Sequence, residues 1–142
     1  MVKVETLEII TANISLVKQF ILNAGSSLQT FRYFEKRDLE IIHNHLLTNI
    51  LLREKKVVGY GHLEMEHDKV WLGIAIVESQ LGMGFGLYLM NALIDSARKL
   101  QIKLLYLSVD KVNTGAIKLY EKVGFFKVEE LNKKSFLMKM VL

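Results

Sequence analysis

Cysteine is absent from this 142-residue sequence, and that absence excludes several classes of protein. Without cysteine there is no disulfide scaffold, no thiol nucleophile and no thiolate zinc site. We expect no metal. The composition is compatible with a reducing compartment, and we expect a cytoplasmic protein.

Long apolar runs and one-sided charge are also missing. No segment approaches the roughly 20 apolar residues that a membrane span needs. The first residues, Met1 to Glu5, carry charge and do not resemble a signal peptide. The formal net charge of +4 is scattered and forms no basic stripe, so we expect neither a membrane nor a nucleic acid as partner.

What is present fits one compact domain spanning residues 1–142. The chain has 51% hydrophobic residues, and its length suits a single hydrophobic core. The sequence does not set the oligomeric state, and a homodimer is left open.

A glycine-rich stretch, Val77 to Leu87, is the strongest local signal. Three glycines stand at every second position from Gly82, and a run with helical spacing follows to Leu100. This pattern predicts a strand, a loop and a helix whose N-terminal amides suit phosphate or pyrophosphate. Leu87 stands where the dinucleotide fingerprint needs glycine, and no P-loop Lys-Ser/Thr pair follows. A plain turn is the alternative.

Around this stretch the pattern predicts an α/β protein with the order β-α-α-β-β-β-α-β-α-β-β. The predicted strands are 2–10, 49–54, 57–65, 69–77, 102–109, 125–130 and 135–141. The predicted helices start near Thr11, at the Asp38 N-cap, after the glycine loop, and at Asn113 or Thr114 with Gly124 at its end. The helix between the fourth and fifth strands implies that these two strands are parallel.

Several side chains are candidates for chemistry. Period-2 alternation puts Tyr60, His62 and Glu64 on one face of the third strand. In the second helix, His43 is predicted near the apolar face and His45 near the opposite one, and a structural role is favoured for both. The aromatic run from Phe31 to Phe34 either packs under the domain or lines a pocket, with packing favoured.

Two linked segments resemble the GCN5-related N-acetyltransferase (GNAT) family. They are Leu81 to Gly86 and the later Asn113-x-x-Ala116-x-x-Leu119-Tyr120-Glu121-Lys122-x-Gly124-Phe125. The resemblance covers nearly the whole chain. It implies a GNAT-type mixed sheet of about seven strands flanked by about four helices, with the fourth and fifth strands splayed apart.

The resemblance also implies an acetyl-CoA-dependent N-acetyltransferase that moves an acetyl group to a primary amine by direct attack in a ternary complex. The implied cofactor-binding residues are Ile76, Val77, Gly82, Met83, Gly84, Phe85, Gly86, Leu87 and Asn113. Tyr120 is implied to protonate the departing sulfur, with a core tyrosine as the alternative. A backbone N–H of the fourth strand would stabilise the oxyanion.

Two departures from the family pattern affect these expectations. The loop begins with Leu81 where the family usually has Arg or Gln, although Gln80 stands just before it. The fourth strand has Val70 and Trp71 where some members carry a carboxylate base. Glu64 and His62 are therefore the candidate bases, and an exposed edge pair is the alternative.

The acceptor is the least determined part. Phe31, Arg32 and Tyr33, followed by Gly59 to Leu63, look like relatives that acylate nucleotide-linked amino sugars. We therefore expect a small-molecule amine, with peptide or protein N-termini, polyamines and antibiotics as alternatives. A non-catalytic CoA-binding sensor or interaction module is the alternative from another functional class.

Overall fold

A single mixed β-sheet organises the protein in the computed structural model, which describes residues 3–142. Its seven strands run in the order β1-β2-β3-β4-β5-β7-β6. They are β1 Val4–Glu8, β2 Leu47–Arg53, β3 Lys56–Glu66, β4 Lys69–Ile76, β5 Leu104–Asp110, β6 Phe126–Glu130 and β7 Ser135–Val141. The predicted α/β fold is confirmed, and Val2, at the predicted start of β1, lies outside the described residues.

Three α-helices flank the sheet within residues 3–142. They are α1 Ser15–Asn23, α2 Phe85–Lys99 and α3 Thr114–Val123. Helix α1 packs on one face of the sheet, where the ring of Phe20 stacks on Tyr60 of β3 at 5.5 Å between centroids. Helix α2 packs on the other face through buried Leu89 and Leu93.

The predicted second helix is a 3₁₀ helix, Leu39–Asn44. It ends before Leu46 and Leu47, which we expected on its apolar face, because Leu47 begins β2. Leucine spacing of three and four fits a helix, but the sheet takes the second half of this segment. Tertiary pairing with β3 thus overrides the local pattern.

Strands β4 and β5 are parallel, as predicted, but pair at a single register position, Trp71 opposite Tyr106. Beyond that position they diverge toward their carboxyl ends. In contrast, β4 pairs with β3 along its full length, from Glu66↔Lys69 to Gly59↔Ile76. The sheet therefore opens between β4 and β5, at an edge where α/β sheets commonly bind ligands.

The closing hairpin is confirmed, but its placement was not predicted. Strand β7 lies between β5 and β6 and pairs antiparallel with β5 from Leu104↔Val141 to Asp110↔Ser135. This pairing fixes the C-terminal end of β5, where α3 begins after Asn113. It therefore sets the position of α3 beside the opening.

Candidate active site

One large cavity, of about 1020 Å³, follows the opening between β4 and β5. At one end it is lined by the glycine loop, including Gly82 and Gly84, and at the other by Tyr33 and Glu64. Tyr120 of α3 lines the same cavity. Residues that are distant in sequence, and that we predicted to share a site, therefore border one continuous space.

The glycine loop presents its backbone to this cavity. Gly82 and Gly84 have φ angles of +76° and +85°, a region that favours glycine, and Gly84 is the N-cap of α2. A Cβ atom at either position would meet nothing within 4 Å. The main-chain N–H groups of residues 82–87 donate to no main-chain acceptor in the described chain. Six free donors at a helix N-terminus suit an anion.

Gly86 has a different role from the other two glycines. A Cβ at this position would lie 3.1 Å from Cδ2 of Leu119. The third glycine thus allows α2 to approach α3. Of the three glycines, only Gly82 and Gly84 would carry a Cβ that meets nothing within 4 Å.

Of the two side chains at the start of the loop, only that of Gln80 carries a donor. Leu81 is 57% exposed. The amide oxygen of Gln80 accepts a hydrogen bond from Arg53 at 2.7 Å, and the same guanidinium lies 3.7 Å from the sulfur of Met83. Arg53 therefore braces the loop and leaves the amide nitrogen of Gln80, which lines the cavity, able to donate to a ligand.

Ile76 and Val77, which we predicted to bind the cofactor at the end of β4, differ in their access to the cavity. Val77 donates its N–H to the carbonyl of Val58 at 2.9 Å, accepts at its own carbonyl from Gln80, and is buried. Because N–H groups alternate in direction along a strand, Ile74 and Ile76 point theirs at the gap beside β5. Ile76 lines the cavity and Val77 does not.

Helix α3 brings Asn113 and Tyr120 to the cavity. Oδ1 of Asn113 accepts from the N–H of Ala116 at 3.2 Å, which confirms the predicted cap and leaves its amide nitrogen for a ligand. The ring of Tyr120 packs against Phe125 at 6.0 Å, and burial raises its pKa. The Tyr120 hydroxyl has no hydrogen-bond partner among residues 3–142. Because no fully buried side-chain oxygen in that range lacks a partner, this hydroxyl is not fully buried and is reached from the cavity.

The candidate bases His62 and Glu64 share one face of β3, as predicted, but they are not an exposed edge pair. Their exposed fractions are 2% and 9%. Nδ1 of His62 is 2.6 Å from the hydroxyl of Tyr60, and burial, followed by His45 and Arg37, lowers the pKa of His62. The His62 ring lies against Gly73 of β4, where an added Cβ would be only 2.6 Å away.

His45 is the functional candidate that the sequence did not reveal. Its side chain is fully buried, and Nε2 lies 2.7 Å from the Tyr33 hydroxyl and 3.9 Å from Oε2 of Glu64. Nδ1 is 2.8 Å from the hydroxyl of Thr48. Burial, with the charge of Arg37, lowers the pKa of His45 to about 4. The imidazole is therefore neutral at physiological pH.

The predicted orientation of the two histidines on this segment is reversed. His43 is exposed beside Glu40, at 3.4 Å, whereas His45 points inward. The helical pattern ends at Asn44, so the face assigned by helical spacing no longer applies to residue 45. No signal in the isolated sequence identified this change.

Donor atoms of His45, His62 and Glu64 lie within 4.8 Å of one another. The hydroxyls of Tyr33, Thr48 and Tyr60 already engage the imidazoles. Hydrogen bonding accounts for this cluster.

The aromatic run both packs and lines the cavity. Phe31 contacts Phe20 and Tyr60 in the core, with ring centroids 6.4 and 5.5 Å apart, and Tyr33 bonds to His45. Arg32 forms a two-pronged ion pair with Asp110 at the end of β5, at 2.8 and 2.9 Å. All three predicted acceptor residues, Phe31, Arg32 and Tyr33, border the cavity.

Comparison with known proteins agrees with this geometry. The model of the acetyltransferase (GNAT) family matches residues 16–125. The uncharacterized N-acetyltransferase YycN of Bacillus subtilis (strain 168) is 36% identical over 104 residues, which are 70% of this chain and 66% of the relative. The chain thus spans just under two thirds of that relative.

Two solved structures share the fold at low sequence identity. The PaiA N-acetyltransferase of Thermoplasma acidophilum, solved in complex with coenzyme A, superposes with a TM-score of 0.78 at 17% identity, covering 99% of both chains. The ribosomal-protein-S18-alanine N-acetyltransferase of Escherichia coli gives 0.70 at 18% identity, covering 99% of this chain and 94% of the other.

The split sheet that carries the glycine loop is thus a fold shared with N-acetyltransferases of known structure. The chain belongs to the acetyltransferase (GNAT) family, whose members are enzymes that use acetyl-CoA. Within the described part of the chain, no helix has the length and apolar character to cross a membrane.

Proposed function

We propose that this protein is an N-acetyltransferase that transfers an acetyl group from acetyl-CoA to a primary amine of a small molecule, by direct attack in a ternary complex. The supporting observation is the single cavity of about 1020 Å³, which runs from the free amides of the glycine loop past Tyr120 to Glu64. Donor and acceptor can meet there without leaving the protein. We propose one such domain over residues 1–142.

The cofactor end is built mainly from backbone groups. The amides of residues 82–87 would hold the diphosphate, while Ile76 and the amide nitrogen of Asn113 would hold the pantetheine arm. Acetyl-CoA, when bound, supplies an acyl group as a reactive thioester. The N–H of Ile76 faces the gap and is the candidate donor to the carbonyl oxygen, a contact whose loss typically costs about 10²–10³ in rate.

Tyr120 is proposed as the general acid. Its hydroxyl carries a proton at neutral pH, as tyrosine does at its ordinary pKa of about 10, and can give that proton to the departing sulfur. Its hydroxyl is free of protein partners within residues 3–142 and faces the cavity. A core tyrosine would instead be expected to have its hydroxyl bonded inside the protein.

Glu64 is proposed as the group that receives the ammonium proton of the acceptor, directly or through water. Its carboxylate is nearly buried, lines the cavity, and forms no ion pair with a lysine or arginine of the described chain. A buried carboxylate without a cation is costly, and an acceptor ammonium would provide that cation. His62, neutral and one pleat away, is the second candidate.

For the acceptor, a nucleotide-linked amino sugar is the finer candidate. Aromatic Tyr33 and the guanidinium of Arg37, which lies 4.3 Å from the Tyr33 ring centroid, offer a stacking surface and a cation at the acceptor end of the cavity. Peptide N-termini, polyamines and antibiotics are the competing classes. Because acetyl-CoA is an intracellular metabolite, a cytoplasmic location is part of the proposal.

The test combines binding and turnover. Titration calorimetry should show acetyl-CoA binding, and thiol release should appear with one class of a panel that includes nucleotide-linked amino sugars, polyamines and peptides. Each amine is paired with its alcohol analogue, which should release no thiol. Absence of cofactor binding at millimolar concentration would overturn the proposal. Binding without thiol release from any amine would favour a CoA-binding sensor.

A further inference from the structure

A continuous set of side chains joins β2 to the acceptor end of the cavity. The Thr48 hydroxyl is 2.8 Å from Nδ1 of His45, and Nε2 of His45 is 2.7 Å from the Tyr33 hydroxyl. Thr48 is 3% exposed and does not line the cavity, whereas Tyr33 does. The first member of the chain is therefore remote from any substrate.

The charge at the far end sets the direction of these hydrogen bonds. Oε2 of Glu64 lies 3.9 Å from Nε2 of His45, and the Tyr33 hydroxyl also faces this carboxylate, which together with burial raises the pKa of Tyr33. A lone pair on Nε2 would face that negative charge, whereas an N–H is attracted to it. Nε2 therefore carries the hydrogen, and Nδ1 accepts from Thr48.

Each bond in this direction supports the next. Thr48 donates to Nδ1 of His45, His45 donates from Nε2 to the oxygen of Tyr33, and Tyr33 directs its hydroxyl hydrogen toward Glu64. Donors aimed at a carboxylate restrict its orientation. Nothing else in residues 3–142 pairs the Thr48 hydroxyl.

We propose that Thr48, acting through His45 and Tyr33, is a positioning residue that holds Glu64 ready to receive the acceptor ammonium. This inference rests on the proposed function and assigns a role to residues of β2 and the preceding loop. The titratable and charged groups that surround Glu64 are Tyr33, His45, His62, Tyr60, Arg37 and Glu66.

The decisive variant is Thr48→Val, which removes the hydroxyl and keeps the side-chain shape. We expect the KM for the acceptor to rise about tenfold, equivalent to about 1.4 kcal/mol. Calorimetric affinity for acetyl-CoA should stay near wild type. The thermal midpoint should fall, because Thr48→Val leaves the buried Nδ1 of His45 without a hydrogen-bond partner. Thr48→Ser restores the hydroxyl and should restore both the KM and the thermal midpoint.

A double-mutant cycle tests the route. In a Tyr33→Phe background the chain is already broken at its last step, so Thr48→Val should add little. An unchanged acceptor KM in Thr48→Val, or an equal effect of Thr48→Val in both backgrounds, would overturn the inference.

Histidine ¹⁵N spectra separate this result from failure of the proposed function. Wild-type His45 should show the Nε2–H tautomer, and Thr48→Val should shift that equilibrium, whether or not any amine is acetylated. The opposite tautomer in the wild type would overturn the inference. An inactive wild-type protein with the expected tautomer would count against the acetyltransferase proposal alone.

Discussion

The two ends of the cavity are built from different chemical groups, main-chain amides at one end and polar side chains at the other. At the cofactor end, the main-chain amides of residues 82–87 donate to no main-chain acceptor of the described chain, and most of these residues line the cavity. At the acceptor end, the side chains of His45, His62 and Glu64 are nearly buried beside the half-buried Tyr33. Backbone donors keep their charge distribution at any pH, whereas every member of the second set can titrate.

The two ends of the cavity therefore differ in which substitutions they tolerate. A diphosphate site made of amides depends on φ and ψ angles, so it fails when the backbone cannot adopt them. A site made of buried side chains depends on hydrogen-bond partners, so it fails when one partner is removed. Four experiments, in order of decreasing expected effect, test this difference between the two ends.

Tyr120→Phe tests the proposed general acid, which lines the cavity between the cofactor end and the acceptor end. Removing the proposed proton donor should lower kcat by about 10²–10⁴, with little change in the calorimetric affinity for acetyl-CoA. Tyr106→Phe, on β5 beside Trp71, is the matched control and should keep wild-type kcat. Full activity in Tyr120→Phe would return Tyr120 to a structural role.

Gly84→Val tests the backbone end. A branched residue at φ +85° is strained, and its side chain would enter the open space in front of the amides. We expect CoA affinity to fall at least about 100-fold by calorimetry. Gly124→Val, at φ +119° after α3, should lose stability without losing affinity per folded molecule. Normal CoA binding by Gly84→Val would show that the loop assignment is wrong.

Gly73→Ala tests the side-chain end through packing. The new Cβ would lie 2.6 Å from the buried His62 ring, so either the ring or the strand must shift. We expect a loss of about 1–3 kcal/mol in the free energy of unfolding, measured with urea. Gly115→Ala, where a Cβ meets nothing within 4 Å, should be neutral or stabilising. Equal stability of the two variants would contradict the close contact.

Low pH should reduce the stability of the folded protein through His45 at the acceptor end of the cavity. The folded-state pKa of His45 is lowered to about 4 from 6.5, so the unfolded chain binds the proton more readily. The contribution of His45 to the free energy of unfolding is fully present above about pH 6.5. It is lost progressively as the pH falls from about 6.5 to about 4. Urea midpoints at about pH 7 and about pH 4.5 should therefore differ less in His45→Gln than in wild type. An identical pH dependence would contradict the burial of a neutral His45.

Much of the fold was predictable because it depends on local pattern. The strand and helix from Lys69 to Lys99 were placed within a few residues, and Gly124 ends α3 with φ +119°, as its position after the apolar stripe indicated. The alternation in β3 put His62 and Glu64 on one face correctly. Their burial was not predictable, because it depends on α1 and the aromatic run that cover this face.

The segment from Asp38 to Thr48 shows where pattern fails. Its leucines and isoleucines fit a helix as far as Leu47, and pairing with β3 extends the strand that we predicted over 49–54 back to Leu47. That change directs His45 inward and His43 outward, the reverse of the helical assignment. A three-residue error in where an element ends therefore concealed the side chain that joins Tyr33 to Thr48.

Which segments form strands, the crossover and the glycine loop could all be predicted from the sequence, because periodicity and glycine act through nearby residues and backbone angles. It also predicted that Tyr120 lies on the apolar stripe of a short helix. Only the tertiary structure decided that Val77 is bonded to β3, that Gly86 serves helix packing, and that His45 meets Glu64. Those outcomes depend on contacts between segments far apart in the chain, which no local pattern encodes.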